Sequence, residues 1–331
     1  MKIRIGLILF FSVIGPFSAY ADAGRDLIIQ EELDYFENHQ SIEPLTPQAP
    51  TTAFHDRVNT FSIEAQTFYN HYNEPQKTRK VTGVWNGVEG KYIFRPRQGN
   101  IFNNPFFNYY DLEGLYAAGK NHLEENLSRF SSDDTITKQF IKYIPGYMFE
   151  NRVLLGRDFI PFPSLLRLTP YMGFGIRYKT VHASGRIVIL DDTSEYLNDD
   201  HSEIYYYLPI GLTLDLAARQ DYEISLNLEY DYLLKGYEKI DYANYDEFAI
   251  PQGVYPNSNV RFSQGHGWGG RSSLKFLKHF SLADIYFEPY VRYWHMGTSK
   301  EASGFILGTN TITTVRKNYT LEAGTELGVQ F

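Results

Sequence analysis

The chain contains no cysteine in 331 residues, which excludes a disulfide frame, a thiol nucleophile and a thiolate metal site. Positive charge is also in short supply. Lys and Arg number 31 against 39 Asp and Glu, and the resulting net charge of −8 argues against nucleic acid as a partner. Long apolar runs are missing beyond the first residues, so any passage through a membrane has to be made by strands rather than helices. No Gly-rich phosphate loop, metal-spaced His pair or nucleophile elbow occurs, and His71, His122 and His279 are scattered. Nothing in the residues calls for a cofactor or a metal.

Aromatic residues, by contrast, are abundant. The 27 Tyr and 24 Phe bring aromatics to 16%, while mean hydropathy stays at −0.36. A polar average combined with a large aromatic load suits a transmembrane barrel with aromatic girdles and a polar lumen. The first residues have the form of a secretory signal: Lys2 and Arg4, an apolar run from Ile5 to Ile14, and the small-residue site Ala19-Tyr20-Ala21. The expected organisation is a signal peptide over 1–21, a periplasmic extension or linker over 22–56, and a barrel over 57–331. Within the extension, Arg25 to Asn38 has the pattern of an amphipathic helix, and Pro44, Pro47 and Pro50 mark a linker.

From Arg57 onward, period-2 alternation lays out ten strands, at about 57–72, 79–95, 106–121, 145–159, 164–181, 201–216, 221–236, 259–277, 281–297 and 314–331. Each has an apolar and a polar face. The seventh sets Tyr222, Ile224, Leu226, Leu228, Tyr230, Tyr232 and Leu234 against Glu223, Ser225, Asn227, Glu229, Asp231 and Lys235. The gaps after the fourth, sixth and eighth strands are short; those after the third, fifth, seventh and ninth are long. That is the sidedness of a barrel with short periplasmic turns, long extracellular loops and both termini periplasmic. Asn73–Lys80 is short for an outer loop, and Arg97–Pro105 is long for a turn. The expected fold class is all-β, a ten-stranded transmembrane antiparallel β-barrel with a short N-terminal periplasmic extension.

The last strand alternates Tyr319, Leu321, Ala323, Thr325, Leu327, Val329 and Phe331 with polar residues and ends on the aromatic carboxylate. It resembles the closing strand of Gram-negative outer-membrane barrels, which implies that Tyr319, Leu327, Val329 and Phe331 act as an assembly signal for the barrel-assembly machinery. Glu150–Gly156, Thr169–Tyr178, Glu229–Tyr232 and Glu288–Trp294 likewise resemble bacterial outer-membrane β-barrel (porin-like) proteins, mostly of unassigned activity. The resemblance covers Arg57 to Phe331. It implies an outer-membrane location with lipid and lipopolysaccharide as partners, and its motifs say little about chemistry.

The polar face carries Glu64, Glu89, Lys91, Asp111, Glu113, Glu150, Arg152, Arg177, Glu229, Asp231, Arg271, Glu288, Arg292, Glu322 and Glu326. Ten strands leave a narrow lumen, where charges are tolerated when paired. The expectation is a salt-bridge network, with a constricted path for ions or small polar solutes as the functional form, Arg152, Arg177 and Arg292 facing Glu150, Glu229 and Glu288. Ten strands also resemble the omptin outer-membrane proteases, which implies aspartates and an Asp-His pair at the outer rim. Asp199, Asp200 and His201 form the one rim cluster with a general base, but the first loop carries Glu74 and no paired aspartates. His266 and His295 fall on the apolar face, suited either to a lipid-modifying site or to a girdle beside Trp268. Loops rich in Asp, Asn and Tyr, such as 241–246, leave a surface ligand or receptor role open. The readings in order are a narrow porin-like or structural barrel, a surface-binding protein, and an outer-membrane enzyme.

Overall fold

The computed structural model describes residues 57–75, 79–96, 106–128, 136–162, 165–188, 194–219, 221–241, 259–306 and 309–331. The expected signal peptide, the 22–56 extension, the 97–105 turn and most of the 241–246 loop lie outside these residues. The described elements are β1 (Asn59–Glu74), β2 (Arg79–Phe94), β3 (Tyr109–Ser128), β4 (Ile136–Gly156), β5 (Phe159–Phe162), β6 (Leu166–Val188), β7 (Ser194–Arg219), β8 (Tyr222–Asp241), β9 (Asn259–Gln264), β10 (Gly267–Lys278), β11 (Asp284–Met296), β12 (Ala302–Ile306), β13 (Thr309–Thr313) and β14 (Asn318–Gln330).

The elements form a closed antiparallel barrel of ten strands, in which β9 and β10 share one position beside β8. The seam is the pairing of β14 with β1, in register from Ser62 with Gln330 to Asn73 with Tyr319. Phe331 continues it: its N–H donates to the Phe61 carbonyl at 2.8 Å and its carbonyl accepts from the Phe61 N–H at 3.3 Å. Closure removes the unpaired strand edges that would otherwise template aggregation.

Alternation decides which side faces out. In β1, Phe61, Ile63 and Tyr69 are exposed while Ser62, Glu64 and Gln66 are buried. Val84 and Val88 of β2, Val153 of β4, Leu228 and Tyr230 of β8 and Leu327 of β14 continue an exposed apolar belt around the wall. An apolar outside and a charged inside invert the arrangement of a water-soluble sandwich and match a barrel built for lipid.

The chain departs from the sequence reading at the end away from the termini, the far end. There β3 and β4 run on to Ser128 and from Ile136, and β6 and β7 run on to Val188 and from Ser194. Much of what the alternation left as long loops is wall. A tilted strand of roughly 9 to 11 residues crosses a bilayer, so the 26 residues of β7 stand well beyond one. The hairpin β12–β13 occupies part of the connection from β11 to β14. At the terminal end, the short gap after β4 contains β5, which pairs with β6.

Inward aromatics sit directly across from glycines on the neighbouring strand: Trp85 over Gly119, Tyr207 over Gly175, Tyr171 over Gly211 and Tyr286 over Gly328. A Cβ on Gly175 would lie 2.2 Å from the Tyr207 ring. The ring takes the volume the glycine vacates, which lets a narrow lumen hold large side chains.

Candidate functional site

The inward faces divide the lumen into four levels. At the terminal end is a polar vestibule, lined among others by Arg57, Glu64, Lys91, Arg167, Glu288 and Gln330. Ion pairs lie along its walls: Arg95 with Asp158 at 3.0 Å, Arg167 with Asp215 at 2.7 Å and Arg57 with Asp284 at 3.3 Å. Glu64, Glu288 and Glu326 bring one carboxylate oxygen each within 4.8 Å of one another. Two of the three are already engaged, Glu64 by the Tyr286 hydroxyl at 2.6 Å and Glu326 by Arg292 at 3.5 Å.

Above the vestibule, four arginines tie the walls together. Lys91 meets Glu113 at 2.6 Å, and Arg152 meets Glu113 at 3.0 Å and also bonds Glu229. Arg271 pairs with Glu229 at 3.0 Å, with Asp231 at 3.2 Å and with Glu150. Arg292 lies 3.5 Å from both Glu150 and Glu326. Arg177 of β6 spans the lumen to Glu322 of β14, bonding its second oxygen at 3.2 Å. Tyrosine hydroxyls supply the remaining donors: Tyr171 to Glu229 at 2.8 Å, Tyr109 to Asp111 at 2.6 Å, and Tyr207 to Glu150. Each arginine is planar and forked, so one guanidinium can hold carboxylates on two strands at once.

Further toward the far end the filling turns apolar. Phe68, Trp85, Leu115, Ala117, Met148 and Tyr290 form one buried cluster, and Tyr205, Tyr207, Leu233, Trp294 and Met296 another. Phe68 stacks on Trp85 at 6.1 Å, and the Trp85 indole donates to Asn121 Oδ1 at 2.9 Å. Lys179, its ammonium 2.9 Å from Asn70 Oδ1 and 5.7 Å from the Trp85 ring, is the cation set into this layer. Tyr72, Val81, Leu123 and Ile144 pack beyond it.

At the far end His201 Nε2 contacts Glu238 and lies 3.8 Å from Glu203. Glu203 and Glu238 are direct cross-strand neighbours. Glu203 accepts from the Tyr205 hydroxyl at 3.0 Å and Glu238 from Gln264 at 3.2 Å, while the Tyr72 ring meets His201 edge-on.

The structure puts Glu64, Glu113, Glu150, Arg152, Arg177, Glu229, Asp231, Arg271, Glu288, Arg292, Glu322 and Glu326 on the inward face. The pairing differs from the expected one. Arg152 reaches Glu113 as well as Glu229, Arg177 takes Glu322, and Glu288 sits with two other carboxylates. Asp199, Asp200 and His201 do not form a rim loop. They lie within β7, where His201 points inward and Asp200 outward to His182 at 2.9 Å; the Asp199 side chain is outside the description. Glu74 belongs to β1 and is buried rather than looped. Lys235 faces out, over the Tyr237 ring at 5.5 Å, because a bulge between Leu233 and Lys235 reverses the alternation of β8. His295 lies beside Trp268 at 6.0 Å on the outer wall, and His266 is exposed where β9 gives way to β10. Tyr319, Leu327, Val329 and Phe331 all stand on the outward face. The sequence reading missed the inward aromatics and Glu203 and Glu238; glycines facing aromatics across a strand pair were the available signal for the former.

No protein-family model matches the chain, and no curated protein matches it. Among solved structures, the outer membrane protease OmpT of Escherichia coli is similar in fold, with a TM-score of 0.56 over 82% of this chain and 96% of that one at 13% identity. The toluene transporter TbuX of Ralstonia pickettii gives 0.35 over 84% and 90% at 6% identity. OprB of Pseudomonas putida gives 0.19 over 96% and 100% at 9%. The first likeness is one of fold, an outer-membrane β-barrel; the other two carry no argument.

Proposed function

We propose that the chain is an integral protein of the bacterial outer membrane, a sealed structural barrel that does not conduct. Its termini and vestibule face the periplasm and its extended wall faces outward. The filled lumen carries this reading. The arginine network closes the middle, and the Trp85 and Trp294 clusters occupy the level above it. A porin-like path would need aqueous width that ten strands already make scarce and that these side chains occupy. The network is then a set of ties between opposite walls rather than a selectivity filter. Reconstitution into planar bilayers tests it: the wild type should show no conductance steps, and neither should Trp85→Ala with Met148→Ala, because the arginine network still closes the level below. Regular steps from the wild type would overturn the reading, as would a soluble periplasmic pool lacking heat-modifiable migration.

A second reading, an outer-membrane hydrolase, is supported by the His201–Glu238 pair, because a carboxylate-oriented imidazole is a competent general base. Cleavage of quenched peptides by the purified barrel, lost in His201→Ala, would favour it. An inactive wild type would remove it.

A further inference from the structure

The outward faces of β6, β7 and β8 are apolar at every second residue, from Leu166 to Tyr178, from Leu208 to Leu216 and from Tyr222 to Leu234. The wall formed by β1 to β4 is different. Thr67 of β1, Asn86 of β2 and Asn151 of β4 face outward and are exposed, each between apolar neighbours on its own strand: Ala65 and Tyr69, Val84 and Val88, Phe149 and Val153. Thr67 and Asn86 are direct ladder partners, and the Thr67 hydroxyl donates to Asn86 Oδ1 at 2.8 Å. Among the described residues, neither the Asn86 amide nitrogen nor the Asn151 carboxamide has a hydrogen-bond partner. The wall around them is shallow: Ala118 is the ladder partner of Asn86 on β3, and Gly90 and Gly114 lie side by side next to Asn151. A Cβ on Gly90 would meet open space.

We propose that the β1–β4 face docks against the same face of a second copy of this chain, with Asn86 at the centre of the contact. The inference rests on the reading of a membrane-spanning barrel. Acyl chains offer an amide no hydrogen bond, so a carboxamide in the belt of an isolated barrel keeps its desolvation cost, and a protein partner relieves it. Between transmembrane elements, polar side chains supply such contacts and small residues let the backbones approach. The chemistry of the amide selects a second copy. In a dimer turned about the membrane normal every residue keeps its depth, so Asn86 meets Asn86. Each carboxamide is both donor and acceptor, and each nitrogen can donate to the Oδ1 of its mate, where the Thr67 bond leaves one lone pair open. The unbroken apolar faces of β6 to β8 are left for lipid.

The chain has no cysteine, so a single introduced thiol reports only its own contacts. The full chain is produced in a Gram-negative host carrying either Val88→Cys, beside Asn86 on β2, or Leu226→Cys on β8, and its outer membranes are oxidised. Heat-modifiable migration of each variant is read separately, so failure of the barrel reading is seen apart from failure of the interface. Val88→Cys should give a disulfide-linked band of twice the chain mass, at least tenfold stronger than that from Leu226→Cys. Adding Asn86→Leu to the Val88→Cys chain should weaken the band at least tenfold while the amount of heat-modifiable barrel is unchanged or higher. Sedimentation equilibrium in neutral detergent repeats the comparison without a thiol: the wild type should be a dimer, and Asn86→Leu should dissociate at least tenfold more readily. Equal cross-linking from β2 and β8, an undiminished dimer in Asn86→Leu, a wild type that sediments as a monomer, or a Val88→Cys cross-link to a different polypeptide would each overturn the proposal. If Val88→Cys does not fold, Val84→Cys on the other side of Asn86 takes its place.

Discussion

Arg177 and Glu322 offer the sharpest probe of the lumen. Their side chains are 2% and 1% exposed, and they join β6 to β14, strands that do not pair. Removing Glu322 leaves Arg177 buried without its ion pair, and removing Arg177 leaves Glu322 with Arg292 across the β11–β14 ladder, so the loss of Glu322 should approach about 3 to 5 kcal/mol, the cost of breaking a buried pair. Arg177 packs over Trp294 with its carbon 6.0 Å from the ring centroid, so Arg177→Met keeps most of the volume while deleting the charge. Glu322→Gln does the same for the acid. Glu322→Gln should therefore lose about 3 kcal/mol or more, and Arg177→Met less. The double variant should recover much of that loss, since a buried pair and a well-packed neutral pair are close in free energy. Urea titration of the barrel in detergent, read by gel mobility and by the fluorescence of buried Trp85 and Trp294, completes a double-mutant cycle. A Glu322→Gln loss below about 1 kcal/mol, or a double loss equal to the sum, would refute the view that the pair is a desolvated tie.

Other perturbations address the wall and the seam. Leu228→Arg puts a charge on the exposed belt of β8 and should cost about 2 to 4 kcal/mol, seen as a loss of membrane-inserted, heat-modifiable protein. Gly175→Ala drives a methyl into the Tyr207 ring and should cost about 1 to 3 kcal/mol by overpacking in the wild type, and much less in a Tyr207→Ala background, where the ring it collides with is gone. Phe331→Ser keeps the seam's main-chain bonds to Phe61 but removes the exposed terminal aromatic ring. Its outer-membrane level should drop while the urea midpoint of the barrels that do assemble stays within error of wild type.

The strand count and the two faces were legible because period 2 is a backbone property, and a charged lumen against an apolar belt gives it high contrast. The partners of the lumen charges were not legible. Arg152 to Glu229 and Arg271 to Glu150 cross the barrel between strands that do not pair, and no spacing in the sequence encodes which opposite walls approach. The far wall was equally hidden. Beyond the belt the residues of β3, β4, β6 and β7 no longer alternate between apolar and polar, as in Ile136-Thr137-Lys138-Gln139-Phe140-Ile141-Lys142 of β4, and strand reads as loop.

The reversals of alternation matter most, because both far-end clusters depend on them. On β8, Glu229, Asp231 and Leu233 face inward, but after the bulge Gly236, Glu238 and Ile240 do. The neighbouring position reverses at the same level. Phe262 and Gln264 of β9 face inward, Gly265 and His266 intervene, and Gly269 and Arg271 of β10 face inward beyond them. Carrying the belt's parity straight through would put Lys239 and Arg261 in the lumen and Glu238 outside. That would leave His201 on the unreversed β7 facing cations. With one extra residue in each strand the arrangement inverts. The carboxylate meets the imidazole inside, and the two cations stand together on the outer wall above the apolar belt. A slip of one residue exchanges every face beyond it, so the two adjacent irregularities set the charge on both sides of the far wall at once.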